Sequence, residues 1–291
     1  MYRFKIKAVP YLFVLPNVLV FTLFIIIPGI YGFYISFTEW NVITEPTFVF
    51  LDNYINILKD IYFWNTLLKT FVYVAVVVPL IYVMSLILAL FLNMKIKGRG
   101  IFRAIFYLPS MLSFVVVAIS WRWILGSNFG VLNYLLELFN LPTYEWLTNP
   151  ILATIMVIFV TVWAQAGYFM VMFLAGLQGI PSSYYEAAKI DGASKWQEFR
   201  HITYPLLKPT GLVVIILSTI KAFKMFALIK TMTQGGPAGT TTYMVQRIYI
   251  TAFEKSEMGY ASAMSVLLLL ILGILTIIQF KSSARGGNTY E

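Results

Sequence analysis

The chain has 291 residues, of which 60% are hydrophobic and only 11% charged, against about 25% charged in soluble domains. So few polar groups cannot cover a soluble surface, which excludes a soluble enzyme, and a disordered chain is excluded because it needs low hydrophobicity. With no cysteine and one histidine, His201, there are no disulfides, thiolate or His-cluster metal sites or Cys nucleophiles, so the formal charge of +9 belongs to a polytopic membrane protein, for which no nucleic-acid partner is expected.

After Arg3, Lys5 and Lys7, residues 8–38 carry no charge. That run is longer than the ~7–15-residue core of a cleavable leader and is read as a first span at 11–36. Uncharged runs at 70–94, 104–121 and 146–185 predict spans at 68–93, 103–125 and 151–177. The third is lengthened by Arg122 snorkelling at a membrane surface. A weaker apolar run starts at Pro209 and is interrupted by Lys221, Lys224 and Lys230. It is read as a fifth span over 209–230, because an odd count would put Lys281 and Arg285 across the membrane from the N-terminal basic cluster. Residues 258–280 predict a sixth span at 259–280. The fold class is therefore an all-α polytopic membrane protein with six transmembrane helices in residues 11–280. Segments 1–10 and 281–291 are expected to be cytoplasmic, with residues 286–291 a frayed tail.

Basic residues orient the spans. With both termini inside, the inner segments hold thirteen basic residues against four acids, and the remainder holds eight of each. The whole +9 then lies on the cytoplasmic face.

The most patterned polar stretch is 182–208, between the fourth and fifth spans. Ser183 and Glu186 have the spacing of a capping box, and Gly192 suits the left-handed residue that ends a helix. Ser194 and Gln197 repeat the capping spacing, and Pro205 is expected to stop a second short helix. The pattern predicts a cytoplasmic helix-turn-helix. An amphipathic loop on lipid headgroups fits the polarity as well. Ala187 and Ala188 favour a helix that lets a partner backbone approach closely, with Glu186 and Asp191 as charges for that partner.

YEAAKIDGA (185–193) followed by ITYPLLKP resembles the EAA loop of ABC importer permeases. FLAGLQGIP (173–181), YLPSMLSFVVVAISWRWIL (107–125), TQGGPAGTT (233–241) and MGYASAMSV (258–266) are similar to segments of its carbohydrate branch, the maltose-permease-like first membrane subunit. The resemblance covers residues 10 to 280. It implies the type I ABC importer permease fold in a prokaryotic cytoplasmic membrane. Tyr185, Glu186, Ala187, Ala188, Asp191, Gly192 and Ala193 would then be the element that couples to an ATPase dimer. The implied partners are that ATPase dimer, a second six-span permease in a heterodimer, an extracytoplasmic solute-binding protein and a sugar substrate, within membrane lipid. The chain lacks a G-x-x-x-x-G-K-[ST] phosphate loop, so no cofactor is expected on it, and ATP with Mg2+ belongs to the partner ATPase.

Charges inside spans cost ~2.5–3.5 kcal/mol each and usually face a cavity or a partner. Lys221 and Lys224, three residues apart, are expected to share a helix face. They could line a solute path, contact the second permease or snorkel outward. Gln165, Trp163, Tyr168 and Phe169 are further path candidates, with aromatic rings suited to stacking on sugars; such rings also pack simply against neighbours. Gly167 and Gly176 are read as close helix-packing positions. A self-sufficient secondary transporter would need ionisable groups along the spans. The expected span cores contain no Asp, Glu or His. A membrane enzyme would need clustered His or acids at one face.

Overall fold

The computed structural model describes the backbone of residues 2–94 and 96–287 and the side chains of 11–94 and 96–282. Lys95 and residues 288–291 of the expected tail lie outside the described residues, as do the side chains of Arg3, Lys5, Lys7 and Arg285 used in the charge count. In chain order the elements are α1 (Tyr2–Phe21), a π-turn (Thr22–Ile26), α2 (Ile27–Ile35), β1 (Thr38–Glu39), β2 (Thr47–Phe48), α3 (Asp52–Lys59) and α4 (Ile61–Asn93). Then come α5 (Arg99–Met111), α6 (Phe114–Ile124), α7 (Val131–Leu138), α8 (Pro150–Gln178), α9 (Ser182–Ile190), α10 (Lys195–Glu198) and a second π-turn (Phe199–Thr203). The chain continues through α11 (Tyr204–Phe223), α12 (Ala227–Met232), α13 (Met244–Tyr249), a third π-turn (Ile250–Glu254) and α14 (Met258–Gly287).

Among the described residues, five stretches are long and apolar enough to cross a membrane: Tyr11–Ile35, Ile61–Asn93, Pro150–Gln178, Lys195–Phe223 and Met258–Ser282. A sixth is formed if α5 and α6, bent by 99°, are one span. The third span is thus not the single rod expected over 103–125. Leu112 and Ser113 are extended, and the Ser113 hydroxyl accepts the Val115 amide at 3.3 Å, restarting the helix in a new direction. The fifth span differs from the expected 209–230 at both ends. It begins at Lys195: α10, the π-turn and α11 run on as one helical stretch, and Pro205, directly after the π-turn, does not stop it. It ends at Phe223, and the chain resumes as α12 after a break at 224–226.

The chain divides into two compact units, Met1–Phe63 with Arg247–Ile271, and Trp64–Gln246 with Leu272–Glu291. In the first, β1 and β2 pair antiparallel, Thr38 opposite Phe48 and Glu39 opposite Thr47. Buried Asn53 donates to the carbonyls of Ser36 and Thr38 at 3.0 and 2.9 Å, locking α3 to the end of α2. The Trp40 carbonyl accepts the Met258 amide at 2.9 Å, one of the orphan donors at the start of α14. Gly259 sits so close to the Thr38 carbonyl that a Cβ would overlap it. Asp60 accepts from Tyr260 at 3.1 Å and pairs with Arg247 at 3.4 Å. The apolar stretch of the first span is wholly unburied and faces its surroundings on all sides.

In the second unit α8 is the hub. Its buried face includes Val157, Val160, Ala164, Phe169, Phe173 and Leu177. The Tyr73 hydroxyl meets Thr161 at 3.0 Å and the Ser85 hydroxyl donates to the Ala166 carbonyl at 3.0 Å, so each polar group of α4 in this seam is satisfied across the helix pair. Gly167 lets α5 approach: a Cβ there would collide with the Phe106 carbonyl. Gly176 does the same for α11, with Thr210 and Leu207 against it. Tyr82 lies edge-on to Phe173 at 5.0 Å and fills the space over Gly211.

Candidate functional site

Helix α9 stands out of the unit: seven of its nine residues are exposed, with Tyr185 and Ala188 half-buried. The capping box expected at Ser183 and Glu186 does not form. Pro181 adopts extended dihedrals and starts the helix at Ser182, which places Ser183 inside the first turn with no side-chain cap. The other end follows expectation. Gly192 has φ +76°, the Ala193 amide bonds the Ala188 carbonyl at 2.9 Å and the Gly192 amide bonds that of Lys189 at 3.1 Å. This is the Schellman arrangement, which satisfies the last carbonyls of α9. A Cβ at Gly192 would meet nothing within 4 Å, so its dihedral, not crowding, requires glycine.

Ser194 and Gln197 form the expected capping box: the Ser194 amide donates to Gln197 Oε1 at 2.7 Å and Ser194 Oγ accepts the Gln197 amide at 3.4 Å. Beyond it, Glu198 is buried and paired with Lys195 at 2.7 Å. Glu186 and Asp191 have no ion pair among the described residues and are exposed. The result is a short, rigidly ended helix with free carboxylates, small Ala187 and an 87%-exposed Ile190 at its tip. In water such a surface is poorly satisfied, and it suits insertion into a partner's groove.

The second region is the carboxyl end of the fifth span. Lys221 is exposed, with its ammonium 3.5 Å from the Tyr168 ring centroid and 5.2 Å from that of Phe169. A cation–π contact at an exposed site is worth about 0.5–1 kcal/mol, which offsets part of the cost of the charge. Lys224 does not continue the helix face: it occupies the C-cap of α11. Both lysines lie at the negative end of that helix, where a cation is favoured.

Of the other path candidates, Tyr168 and Phe169 lie against Lys221, whereas among the described residues Trp163 makes no cation–π contact and Gln165 no hydrogen bond with it. Phe169 is fully buried, so it is a core residue and not a stacking surface in this state. Trp163 meets Trp121 at 5.5 Å and lines an apolar cavity of about 540 Å³ with Phe106, Leu112 and Phe159. Gln165 is 2% exposed, and both its amide atoms lack a hydrogen-bond partner among the described residues. Sequence reasoning missed Thr203, whose hydroxyl is 2.9 Å from that of Tyr185. Nothing in the spacing of two residues so far apart in the chain signals the pair. Among the described residues, no group of three His, Asp or Glu is placed to hold a metal.

Residues 81–285 match the family model of the binding-protein-dependent transport system inner membrane component. The chain is similar to the probable ABC transporter permease protein YesP of Bacillus subtilis, with 40% identity over 279 residues covering 94% of this chain and 90% of that protein. It is also similar to the trehalose/maltose transport system permease protein MalF of Thermococcus litoralis, with 35% identity over 280 residues covering 96% and 95%. In fold it resembles a chain from the crystal structure of a bacterial ABC transporter involved in the import of the acidic polysaccharide alginate. That match has a TM-score of 0.85 and 23% identity, and it covers 98% of both chains.

Proposed function

The chain belongs to the family of binding-protein-dependent transport system inner membrane components, and from that premise we propose that it is the permease subunit of an ATP-driven importer moving a sugar or oligosaccharide into the cytoplasm. It is a multi-pass membrane protein and a transport subunit, not itself an enzyme. The observation that carries the mechanism is α9: an exposed helix, closed by Gly192 and displaying Glu186 and Asp191, which fits the role of docking a separate ATPase. ATP and Mg2+ belong to that ATPase. Its closure would push α9 and drive the spans between inward-open and outward-open states by largely rigid-body motion. A second six-span permease completes the membrane part, and an extracytoplasmic binding protein delivers the solute. The sugar assignment rests on the likeness to MalF, a trehalose/maltose transport permease. Both termini, and the docking face, are assigned to the cytoplasmic side of the cell membrane.

The test is reconstitution in proteoliposomes, with this chain alone and with the second permease, ATPase and binding protein. ATP-dependent uptake of sugar is expected only for the full set. Uptake by this chain alone without ATP would defeat the assignment.

A second reading of the substrate is favoured by Lys221 and Lys224, exposed at the break in the fifth span with no carboxylate pair among the described residues. These ammoniums suit a uronate oligosaccharide or a sugar phosphate. Replacing both with Gln is then expected to abolish uptake of an anionic sugar and spare a neutral one. Equal loss of both would assign the lysines to assembly with the second permease.

A further inference from the structure

Helix α9 is tied to the base of the fifth span by hydroxyl groups. The Tyr185 hydroxyl lies 2.9 Å from Thr203 Oγ1, and Thr203 Oγ1 lies 3.4 Å from the Glu198 carbonyl oxygen. With Thr203 donating to that carbonyl, Tyr185 donates to Thr203. The Glu198 carboxylate in turn accepts two bonds from Lys195, at 3.0 and 2.7 Å. Thr203 and Glu198 are both 6% exposed, so the inner end of this polar chain is sheltered from water, while Tyr185 is half-buried and Lys195 is exposed. It is worth more there than on the surface.

The place where it attaches is one of three π-turns among the described residues. Residues Phe199–Thr203 form a π-turn, and the Tyr204 amide reaches back to the Phe199 carbonyl across it. Such widened turns are poorer than α-helix and occur mostly as single turns at functional sites, where a helix changes register. Here the π-turn joins α10 to α11, so a change in it would move the whole upper part of the fifth span. Covalently, α9 reaches this point only through the turn at 191–194, whose Gly192 pivot has open space around it. That turn is closed by its own backbone bonds, but it joins α9 to α10 at a single point and leaves the angle between them without a second constraint. The Tyr185–Thr203 bond closes the ring between residues 185 and 203 and removes that freedom.

We propose that the Tyr185–Thr203 hydroxyl pair is the tether through which displacement of α9 is passed into the π-turn and hence into the fifth span. Both are positioning residues for solute import, and the proposal rests on α9 being the ATPase-docking helix. Without the bond the ATPase still moves α9, but part of that motion is lost as a change of angle between α9 and α10, so ATP is hydrolysed without a matching movement of the path.

The readout is solute imported per ATP hydrolysed by the complete importer in proteoliposomes, with complex assembly followed by size-exclusion chromatography. Tyr185→Phe and Thr203→Val should each lower that ratio about two- to tenfold, the size of one neutral hydrogen bond. The double variant should be no worse than either single one, and Thr203→Ser, which keeps the hydroxyl, should restore the ratio. Wild-type ratios in both single variants would overturn the proposal. So would a Thr203→Ser ratio as low as that of Thr203→Val, or loss of assembly in Tyr185→Phe. Absence of ATP-dependent import by the wild-type complex would instead defeat the importer assignment, and the tether with it.

Discussion

At the scale of residues, three positions carry sharp expectations. Gly192 is demanded by its φ of +76° and not by space, so the size of the replacement matters less than its tolerance of the left-handed region. Gly192→Asn, which tolerates that region, should keep ATP-driven import near the wild-type rate, whereas Gly192→Val should lose most of it at a strain of roughly 1–2 kcal/mol. Gly167 is the opposite case: its Cβ position is occupied by the Phe106 carbonyl. Gly167→Ala must part α5 from α8 and should lower stability by about 1–3 kcal/mol, read as a lower melting temperature of the purified importer. Gln165 is buried with neither amide atom partnered among the described residues. An unsatisfied buried polar group costs about 1–3 kcal/mol, so Gln165→Leu should raise the melting temperature. If the carboxamide meets solute in another state of the cycle, the same variant will import more slowly. A higher melting temperature with unchanged import would remove Gln165 from the path.

At the scale of elements, the capping box at Ser194 isolates one local contribution. Ser194→Ala removes the acceptor for the Gln197 amide, and such a loss costs about 1 kcal/mol of helix stability. Hydrogen exchange at the amides of residues 195–198 should speed up while that of α8 stays unchanged; no change in either would show that the box contributes nothing. Local chemistry of this kind was readable in advance. Ser194, Gln197 and Gly192 behave as their spacing predicts, because each acts on its own neighbours within one turn. The failures have the same logic in reverse. Ser183 lost its capping role to Pro181, one competing N-terminus two residues away. Pro205 did not stop its helix, because a proline in a first turn and a proline after a last turn look identical in sequence. The bend at Leu112–Ser113 divides a run that hydropathy alone reads as continuous, since an apolar composition reports the surroundings of a segment and not its straightness, whereas the break after Phe223 falls where Lys221 and Lys224 already interrupt the run. The Tyr185–Thr203 bond lies beyond any sequence pattern, because it depends on how a turn folds back.

At the scale of the whole molecule, the charge distribution carries the orientation. Under the six-span order the inner segments hold thirteen basic residues against four acids, while the remaining charges balance. On that proposed order the basic excess falls on the same side as α9, the side assigned to the ATPase. This topology can be tested without background, because the chain has no cysteine. Single cysteines at Ile43 (89% exposed) and Phe129 (92% exposed) sit in loops expected outside, and one at Lys189 sits on exposed α9, expected inside. In intact cells stripped to the cytoplasmic membrane, a membrane-impermeant maleimide should label Ile43→Cys and Phe129→Cys at once. Lys189→Cys should react only after permeabilisation, and adding the ATPase to permeabilised membranes should protect it. Labelling of Lys189→Cys in sealed cells would invert the topology and detach the basic excess from the docking face. Correct sidedness without protection by the ATPase would keep the orientation and take the docking role away from α9.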